Sequence, residues 1–332
     1  MIKDKRKLIN YEYGFDWLRA ILPFFVIAVH TKVISSFGNL FSDVEKSPNI
    51  FDIIQFNILL LAVPSFLLMS LFLFFKKQQS IIDDLLRIYK LIILYVFWVG
   101  LWLLFTRKIP SWNGPEIVEF IIRGGNSIFY YLFTLVFLTI IASLVRKWTI
   151  RGTWLLLFCF IVLINITFPI LNMLDPRYMK LVAFWNPLLF LPTIFAAKLM
   201  VHYQKIIKTN KMVIFMIGII YLLISTIEWG SFIHPNHKLI LATEFPSYAR
   251  ASPLVGAIML LSLSFYLKDR PSRPITLLSS VSLGLYCVHP FLLETLDFIR
   301  NLHGEPAFFF TISFLSILLT IGLKQILKER LI

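Results

Sequence analysis

The chain has 332 residues, of which 58% are hydrophobic and 15% are charged, and its mean hydropathy is +0.80. Soluble domains are about 25% charged, so this composition excludes a cytosolic enzyme, a secreted disulfide scaffold and a disordered protein. The net charge of +14 would suggest nucleic acid binding in a soluble protein, but cytoplasmic loops of membrane proteins are rich in Lys and Arg. We therefore predict a polytopic membrane protein that contacts membrane lipids and no nucleic acid.

Apolar stretches of about 20 residues, the length that crosses a bilayer as a helix, recur along the whole chain. They predict an all-α integral membrane bundle of about ten transmembrane helices. The bundle would form a single domain over residues 1–332, with no separate soluble domain. The predicted spans are 15–35, 52–75, 86–106, 127–145, 153–172, 181–200, 212–229, 249–267, 275–296 and 306–326.

The basic residues predict the orientation of the bundle. An even number of spans places both termini on one side, and the loops on that side hold most of the 32 Lys and Arg residues. Because cytoplasmic loops are enriched in these residues, we predict that both termini are cytoplasmic. The two cysteines, Cys159 and Cys287, lie in apolar segments, and the histidines lack zinc-ligand spacing, so we expect no disulfide framework and no metal site.

The first span contains ionisable side chains, which usually face a bundle interior or a water-filled cavity. Arg19 and His30 lie eleven positions apart, or about 1100° around a helix, so they share one face about 16 Å apart along the axis. Asp16 can pair with Arg19 from three positions earlier, although a charge at a helix N-terminus explains it equally well. Alternatively, Arg19 extends to the membrane interface and His30 lies at the headgroups.

Two later spans carry further polar groups. Arg87 and Lys90 are i,i+3 neighbours at the start of the third span and form a cationic face. This face either suits a phosphate-rich ligand or holds the end of the helix at the cytoplasmic edge of the membrane. In the ninth span, His289 precedes Pro290 and is followed by Glu294. His289 is either part of a polar site or a hydrogen-bonding group between helices.

Five motifs follow one another along the chain. They are Asp-Trp-Leu-Arg-Ala at 16–20 with His30, the Pro- and Ser-containing stretch 63–70, the basic stretch 87–90 with Tyr95 and Trp98, the aromatic stretch 127–132, and the Ser-x-Gly-x-Tyr-x-x-His-Pro stretch 282–290. In this order they resemble motifs of the membrane-bound acyltransferase 3 family, whose members O-acylate bacterial surface glycans and related acceptors. The resemblance covers most of the chain and is to the stand-alone form of the family.

This resemblance implies an integral membrane O-acyltransferase in a bacterial plasma membrane. Such an enzyme would move an acyl group, with acetyl as the expected group, from cytoplasmic acyl-CoA to a hydroxyl of a cell-surface polysaccharide or lipid-linked glycan. Acetyl-CoA would be the donor substrate of this O-acetyltransferase, and no metal would be needed.

The resemblance also implies roles for individual side chains. His30 would be the general base or a transient acyl carrier, since the pKa of imidazole lies near neutrality. Arg19 would stabilise the oxyanion of the thioester or bind a CoA phosphate, while Arg87 and Lys90 would hold the nucleotide end. Supporting roles are expected for Asp16, Ser70, Ser127, His289 and Glu294.

Two other classes of function compete with this one. A transporter or flippase for a glycan intermediate would use His30, Glu228, His289 and Glu294 as a polar pathway, but the sequence shows neither an inverted repeat nor paired broken helices. A membrane scaffold is the third hypothesis, and it leaves the intramembrane Arg and His unexplained.

Overall fold

The structure is a computed structural model that describes residues 12–34, 51, 54–77, 80–107, 114–232, 248–267 and 271–327. All regular secondary structure in these residues is helical, which confirms the predicted all-α class. A π turn at Ile54–Ile58 and a 3₁₀ turn at Leu59–Leu61 precede α2, and a π turn at Leu163–Thr167 joins α6 to α7. The helices are α1 (Tyr13–Thr31), α2 (Ala62–Lys76), α3 (Ile81–Thr106), α4 (Gly114–Ile122), α5 (Tyr130–Val145), α6 (Ile150–Val162), α7 (Phe168–Leu174), α8 (Met179–Val182), α9 (Leu191–Thr209), α10 (Lys211–Phe232), α11 (Ala251–Ser264), α12 (Arg273–Thr295) and α13 (Asp297–Leu327).

Many of these helices have the length and composition of membrane spans. Two shorter helices, α5 and α11, are apolar as well. These two helices and the seven longer segments given in the next sentence coincide with every predicted span except 181–200, as expected for a multi-pass membrane protein. Among the described residues, seven segments are long and apolar enough to cross a membrane: Tyr13–Thr31, Ile54–Lys76, Ile81–Thr106, Ile150–Asn172, Lys211–Glu228, Arg273–Thr295 and Asp297–Ile326.

The predicted span 181–200 is wrong in its first half. Helix α8 ends at Val182, and the chain then turns to a 3₁₀ segment that begins at Pro187 and is capped by the side chain of Asn186. Pro192 stands in the first turn of α9, where a backbone N–H has no helical partner to lose. The two prolines therefore begin helical segments here and do not interrupt a continuous one.

Helices α1 and α12 form the central pair of the bundle. Helix α1 packs along α12 and also contacts α2, α11 and α13. Near its start, the ring of Phe15 lies 5.5 Å from that of Phe72 and 5.8 Å from that of Phe265. By contrast, only 22% of the apolar window of α3 and 11% of that of α10 are buried. Lipid therefore covers much of α3 and α10, whereas α1 and α12 lie deeper in the bundle, where polar groups can be surrounded by protein.

Lys198 joins α9 to the end of α5. Its buried ammonium group donates hydrogen bonds to the carbonyl oxygens of Val145, Arg146 and Trp148, at 2.8, 3.0 and 2.7 Å. The last carbonyl groups of a helix have no partner within the helix, and a lysine ammonium group has three protons to donate. Lys198 therefore supplies the hydrogen-bond donors that the carbonyl oxygens at the end of α5 and just after it lack within the helix.

Glu12 connects the start of α1 to the ends of α2 and α9. Its Oε1 accepts hydrogen bonds from Nζ of Lys76 and Nζ of Lys208, each at 2.7 Å, and from Nε2 of Gln204 at 2.9 Å. Burial alone would raise the pKa of this carboxyl group, but the hydrogen bonds from Lys208 and Lys76 outweigh burial and hold the pKa below its ordinary value. The carboxylate is therefore the form that stabilises this end of the bundle.

Replacing Glu12 by Gln should lower the free energy of unfolding by about 1–3 kcal/mol, because two charge-assisted hydrogen bonds are lost. Since the folded-state pKa is depressed, this stabilisation is present above the unfolded-state pKa and is lost as the pH falls through the folded-state pKa. Thermal unfolding in detergent as a function of pH measures the effect. Exposed Glu116→Gln is the control, and equal stability of Glu12→Gln and wild type at neutral pH would contradict the prediction.

Gly14 lies where α1 approaches the end of α11. A Cβ atom at this position would lie 1.8 Å from the carbonyl oxygen of Ser264, a backbone atom that cannot rotate away. Gly14→Ala should therefore force the two helices apart and sharply reduce the yield of folded protein, as measured by size-exclusion chromatography. Gly100→Ala on α3 is the matched control. A Cβ atom added at Gly100 would have no heavy atom of the other described residues within 4 Å, apart from the backbone of its own helix. Similar yields for the two variants would show that the approach is not close.

Candidate active site

A cavity of about 340 Å³ lies between α1, α2, α3, α5 and α12. We call it the Arg19 cavity. Phe66, Met69 and Leu73 contribute part of an apolar wall, so the cavity combines a positive charge with an apolar surface. Its polar lining consists of Arg19, Ser70, Lys77, Arg87, Tyr131, Ser282 and Tyr286.

Arg19 is held by a carboxylate on its own helix. Its Nη1 lies 3.8 Å from Oδ1 of Asp16, which confirms the predicted ion pair. The same oxygen of buried Asp16 accepts a hydrogen bond of 2.9 Å from Oγ of Ser279 on α12. No local pattern in the sequence indicates Ser279 as a site residue, because it lies 263 positions from Asp16 in the chain. This chain of contacts orients the guanidinium group and joins α1 to α12.

Arg87 enters the same cavity from α3. Its Nη2 donates to Oγ of Ser70 at 2.9 Å and to the Ser70 carbonyl oxygen at 3.1 Å, and the guanidinium lies over the ring of Phe74. Lys90 is exposed and does not line the cavity, because three positions rotate a side chain by about 60° away from Arg87. Lys77, which follows α2, is the third cationic residue of the cavity beside Arg19 and Arg87. The predicted pair of Arg87 and Lys90 is therefore replaced by Arg87 and Lys77.

A second cavity, of about 300 Å³, contains His30 and is called the His30 cavity. The structure brings three predicted site residues together here: His30, Ser127 and Glu294. Sequence reasoning missed five other lining residues. Four of them belong to connecting segments without helical periodicity: Arg123, Asn126, Phe184 and Trp185. The fifth, Trp102, lies on α3 and borders the cavity through the packing of that helix.

Ser127 shapes the turn that borders the His30 cavity. Gly124, Gly125 and Asn126 have φ angles of +59°, +71° and +57°, a region that glycine adopts freely and asparagine tolerates. Oγ of Ser127 donates to the carbonyl oxygen of Gly124 and accepts from the backbone N of Phe129 at 3.2 Å. The Gly-Gly-Asn sequence was the signal that could have predicted this turn. Ser127 thus has a structural contact in addition to its position on the cavity.

The central helices pass from one cavity to the other. On α1, Arg19 lines the first cavity and His30 the second, and on α12 the same holds for Tyr286 and Pro290. The ring of His30 lies 5.6 Å from that of His289, measured between centroids. The contact between a histidine of α1 and a histidine of α12 therefore lies between the two cavities.

An aromatic wall separates the cavities around this contact. The ring of Tyr286 lies 4.8 Å from that of Tyr131 and 5.9 Å from that of His289, and its hydroxyl donates to the carbonyl oxygen of Ile128 at 2.6 Å. His289 is fully buried, and its Nδ1 lies 3.1 Å from the carbonyl oxygen of Leu285 in its own helix. This bond lies within α12 and does not join two helices, unlike the alternative that the sequence allowed for His289.

Glu228 has a structural role at the start of α11. Its Oε1 accepts hydrogen bonds from the backbone N of Ala251 and of Ser252, at 2.7 and 3.1 Å. Its Oε2 lies 3.7 Å from the guanidinium of buried Arg250. Glu228 lines neither of the two cavities. The polar pathway of the transporter hypothesis therefore lacks this member.

Among the described residues, the other polar groups are not clustered as metal ligands. His202 is exposed, and its ring contacts that of Tyr203 edge-on at 4.7 Å. Within the part of the chain that the structure describes, no three His, Cys, Asp or Glu side chains are grouped so that they could hold a metal ion. What the two cavities offer a substrate is cationic groups on one side and histidine, hydroxyl and carboxylate groups on the other.

Comparison with known proteins places this arrangement in a family. A family model described as an acyltransferase domain, that of acyltransferase 3, matches residues 12–324. No curated protein and no solved structure gives a significant match. The matched region contains every residue named above for the two cavities, and it covers nearly all of the chain. The chain therefore belongs to the acyltransferase 3 family and is a membrane acyltransferase.

Proposed function

We propose that the protein transfers an acyl group, with acetyl as the expected group, from acyl-CoA to a hydroxyl of a glycan acceptor. The observation that carries this proposal is the pair of cavities on either side of the contact between His30 and His289. A donor in the Arg19 cavity and an acceptor in the His30 cavity would bring their reacting groups to this one place. The acyl group would pass from one side of the bundle to the other without either substrate crossing it.

The Arg19 cavity suits the donor. Coenzyme A carries several phosphate charges on a long, largely uncharged arm, and this cavity combines Arg19, Lys77 and Arg87 with apolar walls. Guanidinium groups bind phosphate with strong charge-assisted hydrogen bonds. The distribution of basic residues favours an orientation in which the Arg19 end faces the cytoplasm, where acyl-CoA is made.

The distance along α1 favours one of the two roles considered for Arg19. Arg19 and His30 are about 16 Å apart along the helix axis, so an arginine held by Asp16 at 3.8 Å would contact the coenzyme arm or a phosphate and not the thioester oxyanion. His30 would act on the reacting groups, either as the base that deprotonates the acceptor or as a transient acyl carrier. Both roles need an imidazole that is neutral before reaction.

The His30 cavity suits a sugar acceptor. The rings of Trp102 and Trp185 present flat apolar surfaces, and Ser127 and Glu294 supply hydrogen-bonding groups beside them. Few polar groups placed within an apolar pocket are typical of small-molecule sites. A cell-surface polysaccharide or a lipid-linked glycan at a bacterial plasma membrane fits this surface. A flippase would need a continuous path, and the wall at Tyr286 separates the cavities.

His30→Ala should reduce transfer of labelled acetate from acetyl-CoA to surface polysaccharide by about 100-fold or more, because the transfer loses its base or carrier. The assay uses membranes that contain equal amounts of inserted protein, together with polysaccharide from cells that lack it. Exposed His202→Ala is the matched control and should retain wild-type activity. Normal acetylation by His30→Ala would remove His30 from the chemistry, and absence of transfer by wild type would argue against the proposed function.

Arg87→Ala should weaken binding of acetyl-CoA to the purified protein about tenfold or more, since a charge-assisted contact contributes about 1.5–3 kcal/mol. Lys90→Ala should change the dissociation constant less than about twofold, because Lys90 is exposed and outside the cavity. Isothermal titration calorimetry with acetyl-CoA measures both. Equal effects of the two substitutions would mean that the donor does not occupy the Arg19 cavity.

A further inference from the structure

His289 has a buried ring nitrogen that the fold does not use. A carbonyl oxygen only accepts hydrogen bonds, so the contact of 3.1 Å between Nδ1 and the Leu285 carbonyl requires the proton to be on Nδ1. Nε2 then carries a lone pair. The side chain is fully buried, and Nε2 has no hydrogen-bond partner among the described residues. A buried acceptor without a donor is unfavourable, so a group that arrives with a proton would stabilise it.

The position of this lone pair is between the two cavities. His289 lies on α12 between Tyr286, which lines the Arg19 cavity, and Pro290, which lines the His30 cavity. Its ring contacts that of His30 across the interface of α1 and α12. The hydroxyl of Tyr286 is already bonded to the carbonyl oxygen of Ile128. The unused acceptor thus lies beside the residue proposed to react, between the residues of α12 that line the two cavities.

Acyl transfer from a thioester to an alcohol moves one proton between the two substrates, in the direction opposite to that of the acyl group. The acceptor hydroxyl loses a proton in the His30 cavity, and the thiolate of coenzyme A gains one at the Arg19 cavity. A group that takes up this proton and returns it must lie between them and must have a free lone pair. Nε2 of His289 meets both conditions.

We propose that His289 is the proton-relay residue of this reaction, an inference that rests on the proposed function. The O–H bond of the acceptor breaks and an N–H bond forms at Nε2, directly or through His30. In direct transfer, the acceptor oxygen bonds to the acyl carbon as the carbon–sulfur bond breaks; with His30 as carrier, the carbon–sulfur bond breaks as a carbon–nitrogen bond to His30 forms, and that bond breaks when the acceptor oxygen attacks. In both cases the N–H proton passes from Nε2 to the thiolate sulfur. The products are the acyl ester and free coenzyme A, and His289 returns to its initial state.

The test is steady-state transfer from acetyl-CoA by purified protein in liposomes, with polysaccharide from cells that lack the protein as acceptor. His289→Gln keeps a polar side chain of similar length but cannot carry a proton, so kcat should fall about 100-fold or more, while KM for acetyl-CoA changes less than about threefold. Cys287→Ala, at a neighbouring fully buried position on α12, controls for packing and should stay within about threefold of wild type.

A second variant separates proton transfer from a packing role. In His289→Gly, added imidazole should restore at least about tenfold of the lost rate, and potassium chloride at the same concentration should not. A fall of less than tenfold in His289→Gln, or a His289→Gly variant that imidazole does not restore, would overturn the relay alone. A wild-type protein that transfers no acetyl group would overturn the proposed function and the relay with it.

Discussion

The packing of α1 along α12 is the contact on which the rest of the site depends. At one end of this interface the hydroxyl of Ser279 bonds to Asp16, the partner of Arg19, and at the other end the ring of His30 meets that of His289. A shift of one helix turn would move side chains by about 5.4 Å along the axis and would break both contacts together. The register of two helices therefore sets the position of both cavities.

The bundle places its charged groups where protein, and not lipid, surrounds them. Lys198 donates to three carbonyl oxygens at the end of α5, and Arg250 is fully buried beside Glu228. An ionised group in an apolar environment is costly unless it is paired or hydrogen-bonded. In both contacts a buried charge stabilises the packing of one helix against another part of the bundle. Arg19 and Arg87 differ from them, since both line a cavity of about 340 Å³ that has room for a ligand.

Sequence reasoning succeeded where the controlling interaction is local. The apolar length of a span and the shared face of Arg19 and His30 both follow from helix geometry, and the structure agrees with them. It failed where a distant segment decides the outcome. The i,i+3 spacing of Arg87 and Lys90 could not show that α3 presents only one edge to the bundle. The predicted span 181–200 is not one helix, since Pro187 and Pro192 each stand where a helical segment begins.

The sequence by itself determined that the chain is a multi-span helical protein, and its motifs indicated the acyltransferase 3 family. Composition and periodicity are sufficient for this, because lipid requires apolar segments of a minimum length with their backbone hydrogen bonds satisfied internally. The tertiary structure alone decided that His30 faces His289 and that Lys77 replaces Lys90 at the Arg19 cavity. The physical reason is that side-chain proximity between helices depends on their packing and register, which no pattern within a single helix predicts.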